Sequence, residues 1–378
     1  MKKVLFLILL VISVVFLFKN NKKTEVTKND SKTSPTSALS ETKNTRVVPS
    51  NIEGYKMLDT KYSLFFPYWT LLDQPTDPSP PIIERLNNKP PDNYIYFGIT
   101  PDKTGINKSE PGFSNMEKFS RLYADIPKRT LTLRMTNTDT NLTILEDDDL
   151  QNRIVDETLL IAKRNGFNAI LFDLELAALP TDKTTNNVTS FIKKAAESAK
   201  TSGLQFSMTL FGDTFYRSRP FDVAALDPLV DQFVIMAYDF HKSKGSPGPN
   251  FPLGGAPTYG YDFATMIDDF LSVTKPEKLT IAFGLYGYDW TVDGENRPLK
   301  PATALTLAQI KKKYLPNCPK TNCNVLRDNT STESSITYSE DDKKHVIWFE
   351  DEQSVGEKIK YLETKGIFSI SFWGYGYY

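Results

Sequence analysis

The chain has 378 residues, of which 40% are hydrophobic and 24% charged, with a formal net charge of −1. That balance supplies a sizeable apolar core, excludes global disorder, and leaves no basic footprint for nucleic acid. Two His and two Cys residues are too few for a His/Cys metal site and disfavour a Ser-His-Asp triad, so neither a metal nor an organic cofactor is expected.

In chain order, Lys2 and Lys3 precede an apolar run over 4–18, which is broken by Ser13 and closed by Lys19, Lys22 and Lys23. The run is short for a span of about 20 residues, no Ala-x-Ala-like site follows it, and no Cys offers a lipid attachment point. Residues 1–23 are therefore expected to be an uncleaved membrane anchor that holds the rest of the chain outside the membrane. Secretion after signal cleavage is the alternative. Residues 24–55 are mostly Ser, Thr, Lys, Asn and Glu, a composition that cannot offset chain entropy by burial, and they are expected to form a disordered stalk.

From residue 56 onward, apolar or β-branched runs alternate with helical patterns, the form of repeated β-α units around a parallel sheet. Eight strands are expected near 63–69, 94–100, 130–136, 169–174, 205–211, 232–237, 279–284 and 367–372. Helical patterns at 149–165, 187–201 and 351–365 run into Gly166, Gly203 and Gly366, where glycine supplies a left-handed cap. The count, and the return to a strand at the end of the chain, favour a closed (β/α)8 TIM barrel over an open doubly wound sheet. An interval at about 291–347 is too long for an ordinary connection and reads as a rim insertion between the seventh strand and the last helix. It holds a helical stretch at 306–314 and the pair Cys318 and Cys323, which either form a disulfide or remain thiols.

Strand alternation puts Ala169, Leu171, Asp173 and Glu175 on one face. Two carboxylates thus share a face at the C-terminal end of a strand, where barrel active sites are built. Like charges in a partly dry cleft raise at least one pKa, as a general acid working near neutral pH requires. Met236, Tyr238 and Asp239 end one later strand, Tyr286 and Trp290 follow the next, and Trp373 ends the last. Every one of these ends carries a phenol, an indole or a carboxylate.

Together these segments resemble glycoside hydrolase family 18, the chitinase-like family. Its fourth-strand motif, Asp-Gly-x-Asp-x-Asp-x-Glu, is matched in part: Asn168, Ala169, Leu171, Asp173 and Glu175 stand at its places, and the last two keep the family's residues. Its sixth-strand Met-x-Tyr-Asp is intact at Met236, Ala237, Tyr238 and Asp239, followed by a similar loop at 248–253. The segments 286–290 and 345–351, with Trp373, are similar to those of bacterial members that cut peptidoglycan. The resemblance implies that Glu175 protonates the glycosidic oxygen while Asp173 holds the 2-acetamido N–H, so that the substrate's own carbonyl oxygen attacks the anomeric carbon. It implies that Tyr238 donates to the acetamido oxygen, that Asp239 binds nearby sugar groups, and that Trp373 floors the site. Trp69, Tyr286, Trp290 and Met236 are carried over as substrate contacts. The implied partner is an N-acetylglucosamine-containing polysaccharide, peptidoglycan or chitin-like. Leu171 stands where the family has an inward aspartate. This removes a like charge beside Asp173 and supplies a drier wall, changes that act on its pKa in opposite senses. The same change keeps a catalytically weakened carbohydrate-binding barrel as the alternative.

Overall fold

The computed structural model describes residues 60–71, 89–318 and 322–378, all within one compact unit, Lys56–Tyr378. The expected anchor over 1–23 and stalk over 24–55 lie outside the described residues.

The strands are β1 (Lys61–Pro67), β2 (Asn93–Ile99), β3 (Arg129–Met135), β4 (Ala169–Leu174), β5 (Gln205–Phe211), β6 (Gln232–Met236), β7 (Leu279–Gly284) and β8 (Ser369–Trp373). Each pairs in parallel with its chain neighbours, and β1 pairs in parallel with β8, so the sheet closes. The fold is a (β/α)8 barrel. Alternation decides what each strand buries. Phe65, Ile95, Phe97, Leu171, Val234 and Ala282 point inward and pack together as the barrel lumen. The intervening Ile170, Phe172 and Leu174 of β4 face outward into the larger core under the helices.

The helices dock on that outer layer because their apolar residues recur at helical spacing. In α1 (Asp148–Arg164), Leu150, Ile154, Val155, Ile161 and Ala162 are buried; in α2 (Asp182–Thr201), Val188, Phe191, Ile192, Ala195 and Ala199 are. Asp147 and Thr181 cap their N-termini through Leu150 N–H and Thr184 N–H. Gly166 and Gly203 follow their C-termini at φ +70° and +72°, a backbone region costly for any residue with a Cβ.

Between β7 and the helix α3 (Glu352–Thr364) the chain leaves the barrel and builds a five-stranded antiparallel sheet. Its strands are Tyr286–Val292, Thr303–Thr306, Asn324–Arg327, Ser334–Glu340 and Lys343–Phe349. The insertion therefore starts at Tyr286, earlier than the sequence pattern placed it, because the segment read as the tail of the seventh strand pairs instead with Lys343–Phe349. The expected helix is Leu307–Lys313, opened by a capping box between Thr306 and Gln309. Cys318 and Cys323 form a disulfide with Cα atoms 4.9 Å apart.

Candidate active site

β4 delivers the two acids. Asp173 is inward-facing and only 2% exposed, and its Oδ1 accepts a hydrogen bond from Thr209 Oγ1 of β5 at 2.6 Å. Burial raises its pKa to about 6; the Thr209 hydroxyl and the Arg134 guanidinium pull the other way and lose. Burial is thus the larger influence on Asp173 in this chain, which has Leu171 on the same inward face. Glu175 lies one turn of the pleat beyond, half-buried, and its backbone is pinned on both sides. Its N–H donates to Met135 O at 2.9 Å, and its carbonyl accepts from Asn141 Nδ2, also at 2.9 Å. Burial, then the charge of Asp173, raises the Glu175 pKa to about 8, with Lys242 and Arg219 opposing. The pair thus spans neutrality, one member ionised and the other holding a proton.

The other strand ends meet these acids. Tyr238 leaves β6 with its ring 6.4 Å from that of Trp373 and 6.0 Å from that of Tyr286. Burial, reinforced by the charges of Asp173, Asp239 and Glu175, holds its phenol far above the ordinary range, so it remains a donor. Trp373 packs against Phe97, Phe65 and Trp69 at 4.6, 5.4 and 6.4 Å between ring centroids while keeping part of its surface open. Trp69 sits beside it at the rim, 36% exposed. Gly284 makes this crowding possible, because a Cβ there would lie 2.3 Å from the Tyr286 ring and 3.2 Å from Tyr238 Cβ. Met236 is buried on the inward face of β6, in register with Phe211 and Ala282.

Asp239 adopts φ +61° just beyond β6. Its N–H donates to Asn250 Oδ1 at 2.7 Å, and its Oδ1 accepts from Tyr286 Oη at 2.5 Å and Tyr288 Oη at 2.7 Å. Both phenols belong to the first strand of the insertion. Trp290, four residues after Tyr286, does not reach the mouth. It is fully buried with Val292, Ala302 and Val346, and its Nε1 donates to Gly245 O at 2.9 Å, so its expected role as a sugar contact is withdrawn.

Sequence reasoning missed the residues that support this mouth: Thr209, Asn141, Tyr288, and a buried ionic cluster. Lys358 of α3 donates to Glu333 at 3.0 Å and to Glu350, all three fully buried. Glu333 in turn accepts the N–H groups of Asn250 at 2.5 Å and Phe251 at 2.8 Å. Asn250 Nδ2 donates to Gly284 O at 3.2 Å. The family resemblance covered the loop at 248–253 and the segments that hold Tyr288 and Glu350 but gave these two residues no role, and Thr209, Asn141, Glu333 and Lys358 had no signal. A separate recess of about 490 Å³ near Lys200, Gln205 and Asp231 opens at the N-terminal end of β5, away from the acids. Among the described residues no group of three or more His, Cys, Asp and Glu side chains is placed to hold a metal ion.

A parallel barrel with two carboxylates and a half-buried indole at its C-terminal mouth presents the kind of acid pair that most glycoside hydrolases use. The chain belongs to glycosyl hydrolases family 18, whose family model matches residues 94–377. Among curated proteins it is similar to the cortical fragment-lytic enzyme of Bacillus anthracis, at 27% identity over 74% of this chain and 64% of that protein. It is also similar to a class V chitinase of Arabidopsis thaliana, at 22% identity over 59% of this chain and 61% of the relative. The chain thus spans less than two thirds of the length of either relative. Among solved structures, the Bacillus cereus spore cortex-lytic enzyme SleL aligns with a TM-score of 0.66 at 22% identity, covering 84% of this chain and 71% of that one. A group IV chitinase of Ostrinia furnacalis aligns with a TM-score of 0.69 at 15% identity, covering 84% and 92%. These two likenesses carry the fold.

Proposed function

We propose that this chain cleaves β-linked N-acetylglucosamine-containing glycans, peptidoglycan foremost, by substrate-assisted retaining catalysis. The observation that carries the reading is convergence: the acids of β4, the phenol of β6 and the indole of β8 share one mouth, with the charges of Asp173 and Glu175 both acting on Tyr238. Glu175, protonated at neutral pH, gives its proton to the glycosidic oxygen as the C1–O bond breaks. Ionised Asp173 accepts the 2-acetamido N–H, and the acetamido carbonyl oxygen closes on C1 to form an oxazolinium ion. Water then attacks C1 as the C1–O bond of the oxazolinium ring breaks and the acetamido group is restored, and the water gives a proton to the Glu175 carboxylate. Tyr238 donates to the acetamido oxygen and Trp373 floors the sugar, while Met236, Tyr286 and Trp69 line its surroundings and Asp239 binds sugar groups beside it. Peptidoglycan is favoured over chitin by the names of the bacterial relatives, which describe cortex lysis. From the sequence of residues 1–23 we propose further that the enzyme acts outside the cell membrane, tethered to it; fractionation of cells making the full chain tests this.

The test is turnover of peptidoglycan fragments and chitin oligomers by the wild type and by Glu175→Gln. The variant should lose at least about 100-fold in kcat, the usual scale for a general acid. A glycan without the 2-acetamido group should be inert, and its ready cleavage would overturn the mechanism. Binding without any Glu175-dependent product would favour a carbohydrate-binding barrel, the reading that Leu171 keeps open.

A further inference from the structure

Arg134 is the inward residue of β3 beside the acids, in register with Asp173. Its Cζ lies 4.9 Å from the ring centroid of Tyr68 and 5.3 Å from that of Phe97, so aromatic faces hold the guanidinium. Its Nε is buried and meets no acceptor among the described residues. The side chain opens on a polar recess of about 290 Å³ at the ends of β2 and β3, shared with Thr100, Asn107, Glu110, Asn137 and Asn141. Asn141 is the residue that holds the Glu175 carbonyl, so the recess adjoins the acid pair. The guanidinium pulls the Asp173 pKa down, but that long-range effect leaves its buried Nε without an acceptor, and neutral sugars bring no anionic partner for it. A planar guanidinium with its Nε unpaired matches a carboxylate.

We propose that Arg134 binds a carboxylate carried by a sugar next to the scissile bond, such as a lactyl ether group free of peptide, and thereby selects acidic glycans over neutral ones. The inference rests on the glycan-cleaving reading above but concerns recognition, which is measurable without turnover. Glu110 also lines the recess and opposes an anion, which gives the site a built-in counter-test.

The experiment uses the full chain carrying Glu175→Gln, so that ligand persists. Calorimetry compares a tetrasaccharide of alternating N-acetylglucosamine and N-acetylmuramic acid with its methyl ester and with neutral chitotetraose, at low and at high salt. The free acid should bind about 10-fold more tightly than its ester at low salt, with the gap narrowing as salt screens it. Adding Arg134→Met should close the gap to within about twofold and leave chitotetraose affinity within about twofold, while Glu110→Gln should widen the gap. Equal binding of acid and ester by the Arg134-containing protein overturns the proposal, and this comparison decides even if the Met variant does not fold. A gap that survives Arg134→Met, or an equal loss for chitotetraose, also overturns it. Wild type that hydrolyses no glycan would sink the hydrolase reading and leave this comparison standing.

Discussion

Glu175→Gln should abolish turnover and at the same time stabilise the fold, increasingly so as pH rises. Burial, then Asp173, lifts the Glu175 pKa from 4.5 to about 8 in the folded chain. With the folded pKa above the unfolded one, its stabilising contribution is complete below the unfolded value and is lost as pH rises through the folded value. At about 1.4 kcal/mol per unit, the ceiling at pH 7 is about 3 kcal/mol and above pH 8 about 5 kcal/mol. Glu175 is partly open to solvent and titrates together with Asp173, so screening and sharing reduce the observable effect to about 1–2 kcal/mol. Glutamine keeps the volume and never ionises. Urea unfolding of both proteins at pH 5, 7 and 9 reads the difference directly. It should be near zero at pH 5 and favour the variant by about 1–2 kcal/mol at pH 9, without a change in m-value. A difference that is flat with pH, or that favours wild type at pH 9, would refute the placement of a protonated carboxyl in this mouth.

Three further outcomes follow from the same structure. The kcat/KM profile should be bell-shaped, rising through about pH 6 as Asp173 ionises and falling through about pH 8 as Glu175 loses its proton; a profile without the acid limb would remove Asp173 from the chemistry. Lys358→Met leaves Glu333 and Glu350 facing each other in a fully buried site, which should cost about 3–5 kcal/mol in urea unfolding, with part recovered by adding Glu350→Gln; a loss below about 1 kcal/mol would contradict a buried cation there. Leu171→Asp, which restores the family's inward carboxyl, puts it among Phe65, Phe97 and Val234 beside buried Asp173. It should lower stability by about 3 kcal/mol or more and move the acid limb of the profile to higher pH, so a variant with wild-type stability and a faster rate would count against the dry-wall account.

Much of this architecture was legible in the sequence because it is encoded locally. β4, β5 and β7 lie at 169–174, 205–211 and 279–284, where apolar and β-branched runs placed them. β1 ends at Pro67 rather than residue 69 because Tyr68–Leu71 turns into a short 3-10 helix. α2 starts at Asp182, five residues before the apolar stripe begins, because the Thr181 cap and its polar first turn leave no hydrophobic mark. Asp173, Glu175, Tyr238 and Trp373 were found because each stands at the end of an alternating strand. Trp290 was carried over as a sugar contact with the family-like segment 286–290, but the chain turns at Leu285 and alternation restarts in the insertion sheet, which turns that indole into a core. Thr209 and Asn141 carried no signal, because the atoms they hold lie 36 and 34 residues away in sequence.

The insertion is part of the mouth. Asp239 is a non-glycine residue with a left-handed backbone, a conformation costing about 1–2 kcal/mol unless its surroundings hold it. Those surroundings come from outside the barrel strands: Asn250 takes its N–H, and Tyr286 and Tyr288 take its carboxylate. The two tyrosines are fixed because their strand pairs with Lys343–Phe349, and Asn250 is fixed because Glu333, flanking the neighbouring strand, accepts its backbone N–H. Lys358 joins Glu333 to Glu350 and so ties that sheet to α3, the helix that leads back into β8 and Trp373. One buried cation therefore connects the placement of Asp239 to the helix that precedes β8 and Trp373. Barrel strands together with Asn141 set the acid pair, but the complete mouth requires the antiparallel sheet to be docked, and the ionic cluster is the fully buried one of the polar contacts, with Arg327–Asp351 and Trp290–Gly245, that hold it there.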